Sequence, residues 1–227
     1  MRTALVAFGF AVAMLCVTDA SSQQDDKPAP SALESSKKGW EDLPTDMDQW
    51  KRVSGVPKNK QLPPQDPWSF DKEGVLSYQG GQLPEMLLFT GGKTKANGIF
   101  HVEWRYKKAP PKKTATGGPV VRAAINGTTF HEALAGNDNG GYFVGLTTIK
   151  DAPAQVPSNK QKGANRILPA GEWSVYEITF QSKTLSLFNN GFITAEWPLC
   201  EVDKGYIGLR GDGYPIEFRN LKFKRLR

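Results

Sequence analysis

From Trp68 to the C-terminus, apolar and polar residues alternate in short runs separated by Gly, Asn, Pro and Lys. A two-residue period over four to eight positions marks half-buried strands. The runs are Val75 to Gln79, Met86 to Phe89, Phe100 to Tyr106, Pro119 to Ile125, Phe130 to Leu134, Tyr142 to Leu146, Ser174 to Phe180, Leu185 to Phe188, Phe192 to Trp197, Tyr206 to Leu209 and Ile216 to Phe223. β-branched and aromatic residues dominate them, as a pleated surface favours. Leu185 to Phe188 and Phe192 to Trp197 form the clearest hairpin, because Asn190-Gly191 supplies the positive φ angles of a tight turn. No window carries an amphipathic helix of useful length. Many short strands without interleaved helices predict an all-β fold, a β-sandwich or jelly roll of two antiparallel sheets.

The segment Gly205 to Arg227 concentrates chemistry within this pattern. Two strands flank Arg210-Gly211-Asp212-Gly213. Glycine loses much backbone entropy on folding, so its density there marks a sharp turn or a close approach of the backbone.

The N-terminal third reads differently. Residues 1–20 run from Met-Arg through an apolar stretch to small residues ending at Ala20, the order of a secretory signal peptide, and the stretch is too short for a membrane span. Export to a secreted or periplasmic destination is expected. Cys16 would leave with the signal, so Cys200 has no intramolecular partner and the core, not a disulfide framework, must carry stability. Residues 21–60 are rich in Ser, Gln, Lys, Asp and Pro and predict a flexible polar lead-in, with Trp40 and Trp50 as exceptions able to dock on the domain. Residues 61–227 are then the folded domain.

The formal net charge of the 227 residues is +6. Its basic clusters, Lys107, Lys108, Lys112 and Lys113 around two prolines and the alternating Lys222, Lys224, Arg225 and Arg227, read as a loop and a solvated strand face. No nucleic-acid partner is expected. His101 and His131 are the only histidines, and with one mature cysteine they assemble no zinc cluster. No phosphate loop, dinucleotide fingerprint or Gly-x-Ser-x-Gly elbow occurs. Metal and cofactor are both expected to be none. The loop Gly136 to Gly141 lacks the ligand spacing and closing glutamate of an EF-hand.

The order Trp68-Ser69-Phe70, Phe100-His101-Val102-Glu103-Trp104-Arg105, Pro169-Ala170-Gly171-Glu172-Trp173, Asn190-Gly191, Ile207-Gly208-Leu209 and Phe218-Arg219-Asn220 resembles the 3-keto-disaccharide hydrolase domain family. The resemblance implies the concanavalin A-like jelly-roll sandwich and cleavage of glycosides already oxidised to a ketone at C3, with a small-molecule sugar or glycan as partner. It also implies Glu132 as base or acid, in Phe130-His131-Glu132-Ala133-Leu134, although Leu134 stands where the family usually has glutamine. Asp212 stands where family members often carry histidine, and Arg210 where they often carry glutamine. Asp212 is then either a second proton-transfer group or a turn aspartate bonding its own backbone. Arg122 and Arg210 would hold sugar hydroxyls or an enolate, and Asn137, Asp138 and Tyr142 would contact the sugar. Trp173 is expected in the core and Arg219 in a structural tie. The alternative is a non-catalytic carbohydrate-binding or cell-surface module on the same sandwich. Strand alternation sends Glu132 and His131 to opposite faces.

Overall fold

The computed structural model describes residues 27–56, 61–92, 94–110, 116–136, 140–156 and 166–227. A single helical turn, α1 (Ala32–Ser35), is followed by β1 (Trp40–Asp42), β2 (Trp50–Ser54), β3 (Trp68–Phe70), β4 (Leu76–Tyr78) and β5 (Glu85–Phe89). Then come β6 (Gly98–Arg105), β7 (Thr116–Ala123), β8 (Phe130–Ala133), β9 (Phe143–Ile149) and β10 (Ala152–Gln155). β11 (Ser174–Gln181), β12 (Thr184–Asn189), β13 (Phe192–Trp197), β14 (Tyr206–Asp212) and β15 (Ile216–Arg225) complete the chain.

All the pairings are antiparallel and build two sheets. One has the order β13-β12-β11-β6-β15-β4-β3, with β1 added beside β15; the other has the order β10-β9-β8-β7-β14-β5-β2. The sheets stack as a sandwich over Leu76, Leu87, Phe100, Val102, Trp104, Val121, Phe143, Tyr176, Ile178, Phe180, Leu209 and Phe218, all buried. These residues alternate along their strands with residues of the outer faces, as a pleated sheet dictates. The expected all-β sandwich of two antiparallel sheets is therefore the observed architecture. At the β12–β13 hairpin Asn190 (φ 45°) and Gly191 (φ 100°) occupy the left-handed positions that their identities predict.

The N-terminal segment departs from the expectation of a flexible lead-in. Residues 27–56 contribute α1 to the first sheet's outer side, β1 to that sheet's ladder beside β15, and β2 to the edge of the second, where Trp50 and Val53 are buried. Ser31 and Glu34 form a capping box at α1, and Glu177 of β11 accepts from the amides of Ala32 and Leu33 at 2.6 and 3.0 Å. Arg52 of β2 donates to both carboxylate oxygens of the buried Glu85, at 3.0 and 2.9 Å. A polar composition concealed this because the few apolar side chains do the burying while main-chain ladders satisfy the rest. Residues 1–26, which carry the expected signal, lie outside the described residues.

The seven-stranded sheet also has an apolar outer face. Val53, Met86, Leu88, Val120, Ala123 and Phe130 pack there as a second cluster. This face positions the site.

Candidate functional site

Glu132 lies in the middle of β8, opposite Val120 of β7 and Val144 of β9. That register puts it on the outer face with Val120, while His131 points between the sheets towards Trp197 and Thr147. Arg210 and Asp212 alternate outward from β14, where Arg210 faces Gly118 of β7 on one side and Met86 of β5 on the other. Gly118 has no side chain, so the guanidinium crosses β7 unobstructed and Nη1 donates to Glu132 Oε2 at 3.1 Å. Nη2 donates to Asp212 Oδ2 at 3.0 Å, and Thr116 Oγ1 donates to the same oxygen at 3.0 Å. Two strands far apart in sequence, β8 and β14, thus assemble a carboxylate–guanidinium–carboxylate row across β7, which lies between them.

The row is graded in exposure, with Glu132 at 1 %, Arg210 at 12 % and Asp212 at 32 %. Burial raises the Glu132 pKa, and the Asp212 charge adds to it, against the opposing pull of the Arg210 cation. Burial works against the Arg210 charge too, but the two carboxylates outweigh it and hold the guanidinium protonated. Glu132 Oε1 and Arg210 Nε have no partner within the protein. Such buried, unpaired polar atoms are rare in folded chains and are costly unless something occupies them.

Glu132 and Arg210 line a hollow of about 410 Å³ whose other walls include Phe130, Val144, Leu146, Gln155 and Val156. That volume falls in the range of small-ligand pockets, about 300–1,000 Å³. Apolar walls with a few convergent polar groups are what such a pocket needs to hold a ring and fix its orientation. Gly145 and Gly55 also line the hollow. Behind it, Tyr106 and Tyr176 donate their hydroxyls to the carbonyls of Ala135 (2.6 Å) and Leu134 (2.9 Å), pinning the strand end just beyond Glu132.

The structure brings Glu132, Arg210 and Asp212 together, as the sequence suggests, with Tyr142 half-buried beside them. Burial raises the Tyr142 pKa and the Glu132 carboxylate adds to it. Asp212 is held as an acceptor by Arg210 and Thr116 rather than by its own backbone. Asn137 and Asp138 lie outside the described residues. Arg122 is not in this site. The β7–β14 ladder shifts register between Tyr206 and Gly208, and Arg122 takes φ 50°, so Val121 and Arg122 both turn between the sheets. There Arg122 Nη2 donates to the carbonyls of Ala96 and Ser182, at 3.1 and 2.6 Å.

Trp104 is a core residue, but Trp173 is only half-buried, with the guanidiniums of Arg105 and Arg219 over its ring at 4.3 and 4.1 Å. Arg219 also ties β15 to β6 through Glu103 at 2.7 Å. Thr116, Phe130 and Gln155 were not singled out by sequence; only the strand register, which no local pattern encodes, places Phe130 and Gln155 at the hollow and Thr116 against Asp212. Among the described residues no cluster of three His, Cys, Asp or Glu side chains offers a metal-ligand set.

The model of the 3-keto-alpha-glucoside-1,2-lyase-like domain matches residues 39–224. No curated protein matches the chain. Among solved structures, a candidate glycosyl hydrolase from Parabacteroides distasonis aligns at 14 % identity and TM-score 0.57, covering 88 % of this chain and all of its own. The carbohydrate-binding module CBM66 from Bacillus subtilis aligns at 10 % identity and TM-score 0.55, covering 78 % of this chain and 95 % of its own. The carbohydrate recognition domain of Emp47p aligns at 12 % identity and TM-score 0.51, over 82 % and 90 %. At these identities the structural likeness establishes a shared sandwich fold.

Proposed function

The chain belongs to the 3-keto-alpha-glucoside-1,2-lyase-like domain family, and from that premise we propose that it is an exported carbohydrate-active protein that cleaves the glycosidic bond of 3-keto-glycosides in the hollow at Glu132. The observation that carries this reading is the buried Glu132 carboxylate, with one oxygen held by Arg210 and the other unpaired, in the wall of a sugar-sized hollow.

A ketone at C3 acidifies the C2 proton, and the leaving oxygen on C1 lies β to that carbonyl. Glu132 Oε1 takes the C2 proton, as a base whose burial strengthens it. Arg210 supplies the positive charge that stabilises the enolate oxygen, while Asp212 and Thr116 fix its orientation. The enolate collapses by expelling the C1 oxygen, which takes a proton from water. The hydroxide left behind adds to C1 as Glu132 returns its proton to C2, so the net change is hydrolysis. No oxocarbenium-like intermediate is required, unlike the common glycosidase route.

One observation favours a second reading, a sugar-binding module without turnover: the Arg210 ion pair occupies one oxygen of Glu132 and stabilises its ground state. A single experiment separates the two. Purified protein is incubated with a 3-keto-glucoside, and free sugar release and binding are followed in the wild type and in Glu132→Gln. The hydrolase reading expects turnover to fall by about 10³-fold or more in the variant with binding kept within roughly tenfold. Binding without turnover in the wild type selects the module, and no binding in either overturns both. Export rests on residues 1–20 and is checked by the mass of the mature N-terminus, expected near Ser21.

A further inference from the structure

We propose that the opposite end of the sandwich carries a second site, one that binds a small oxyanion: a carboxylate, sulfate or phosphate group, free or carried on a sugar. β6 runs from Gly98 at this end to Arg105 at the other, and Tyr106 beyond it is bonded to Ala135 near Glu132. The residues just before Gly98, with Phe223 and Arg225 of β15, line a hollow of about 300 Å³. This site is therefore separate from the one at Glu132, and its case does not depend on the reaction proposed there.

Three cations meet at this end, and Glu41, the one acid whose charge reaches Lys95, forms no ion pair with it among the described residues. Lys95 and Arg225 both line the hollow. Neither is in an ion pair among the described residues. The Lys95 ammonium lies 4.8 Å from the centre of the Phe223 ring. Burial lowers its pKa; the Glu41 charge opposes the shift and the neighbouring Arg225 cation adds to it.

Arg122 is the third cation, fully buried behind the wall. Its Nη2 is held by the carbonyl of Ala96, a wall residue, and by that of Ser182; Nε and Nη1 reach no oxygen or nitrogen acceptor, and the Cys200 thiol is the polar group beside them. A guanidinium without a carboxylate inside a low-dielectric core projects its charge further than an exposed one, because water does not screen it.

The neutral groups match the same ligand. Asn97 Oδ1 accepts from the Ser182 amide at 3.0 Å, which leaves its Nδ2 donors for the hollow, and Thr94 adds a hydroxyl. A wall of donors and cations with an aromatic edge is complementary to an oxyanion, whose acceptor-only oxygens take charge-assisted hydrogen bonds. A bound anion would relieve the mutual repulsion of Lys95 and Arg225 and stabilise the folded chain by mass action.

The test uses the full exported chain with sodium sulfate, sodium glucuronate, sodium chloride at matched ionic strength, and neutral glucose. Binding is read by thermal shift and by amide chemical-shift titration. Saturable binding of sulfate or glucuronate above the chloride response is expected, with affinity at least tenfold weaker in Lys95→Gln/Arg225→Gln. Both substitutions lie at the surface, and the variant's melting temperature without added anion checks that it is folded. Binding of sulfate alone assigns tetrahedral oxyanions, and binding of glucuronate alone assigns a uronate; either supports the site. A response equal to that of chloride, or one unchanged in the double variant, overturns it.

Discussion

Burial raises the Glu132 pKa although Arg210 Nη1 donates to one of its oxygens, and the opposition of these two effects fixes how the proposed base must behave. A base works only when ionised, so turnover is present above its pKa and lost as pH falls through it. Because that pKa is raised, the acidic limb of the kcat profile is expected above the ordinary carboxylate range, about 4. Removing the opposing cation in Arg210→Met should move the limb further up while lowering kcat. A limb at the ordinary glutamate value, or one that Arg210→Met leaves in place, contradicts the assignment.

At this scale the resemblance pointed to Glu132, Arg210 and Asp212, and the structure sets the three side by side because β8 and β14 both send these positions outward. The resemblance misplaced Arg122. Alternation counted from Val120 points Arg122 outward, and only the register shift opposite Tyr206, with the positive φ at Arg122, turns it inward. A bulge of this kind depends on which strands pair, and the residues of β7 alone do not reveal that.

The strands show why glycine clusters around the site. Gly118 takes φ +146°, and a Cβ there would run into the Ala133 carbonyl and approach the Ala135 amide at 3.1 Å. Gly171 also has positive φ, +97°, but meets nothing within 4 Å. Gly171→Ala should therefore cost about 1 kcal/mol, for the backbone alone, and Gly118→Ala about 3 kcal/mol, since strain and steric displacement add. Urea denaturation midpoints of the two variants measure the difference, and equal midpoints would show that Gly118 is not a packing constraint. Gly118→Ala should also reduce turnover, because the displaced carbonyl follows Glu132 directly.

The density of glycine in Arg210-Gly211-Asp212-Gly213 signalled a close backbone approach, and Gly211 makes one: its Cα side lies against the Tyr78 ring, where a Cβ would clash. The segment is strand as far as Asp212, and the turn begins only at Gly213 (φ 74°). All eleven sequence-predicted strands occur, with edges displaced by a few residues. β1, β2, β3 and β10 escaped detection because their exposed positions are polar or proline-bearing and their pairing is at or beyond sheet edges.

For the molecule as a whole, the sandwich is closed by a segment that composition alone assigned to a tail. Leu33, Leu43, Trp50 and Val53 are all buried against the two sheets. At about 1.5–3 kcal/mol for each buried side chain, their loss approaches the roughly 5–15 kcal/mol that holds a domain folded. Removing β2 would also strip Arg52 from Glu85, which is 2 % exposed while β2 is in place, and bare the ladder groups of β5 as a new sheet edge. On the first sheet, α1 satisfies Glu177, whose other bond is to His101 Nδ1 at 2.9 Å. A chain starting at Gln61 is thus expected to lose its cooperative thermal transition, whereas one starting at Lys27 should keep its melting temperature within a few degrees of the full chain. Calorimetry on the two truncations decides. A cooperative transition at the full-length temperature in the shorter chain would mean that residues 27–60 merely lie on a domain that stands without them, and the outer-face hollow, whose rim includes Gly55, would then have to be built from residues 61–227 alone.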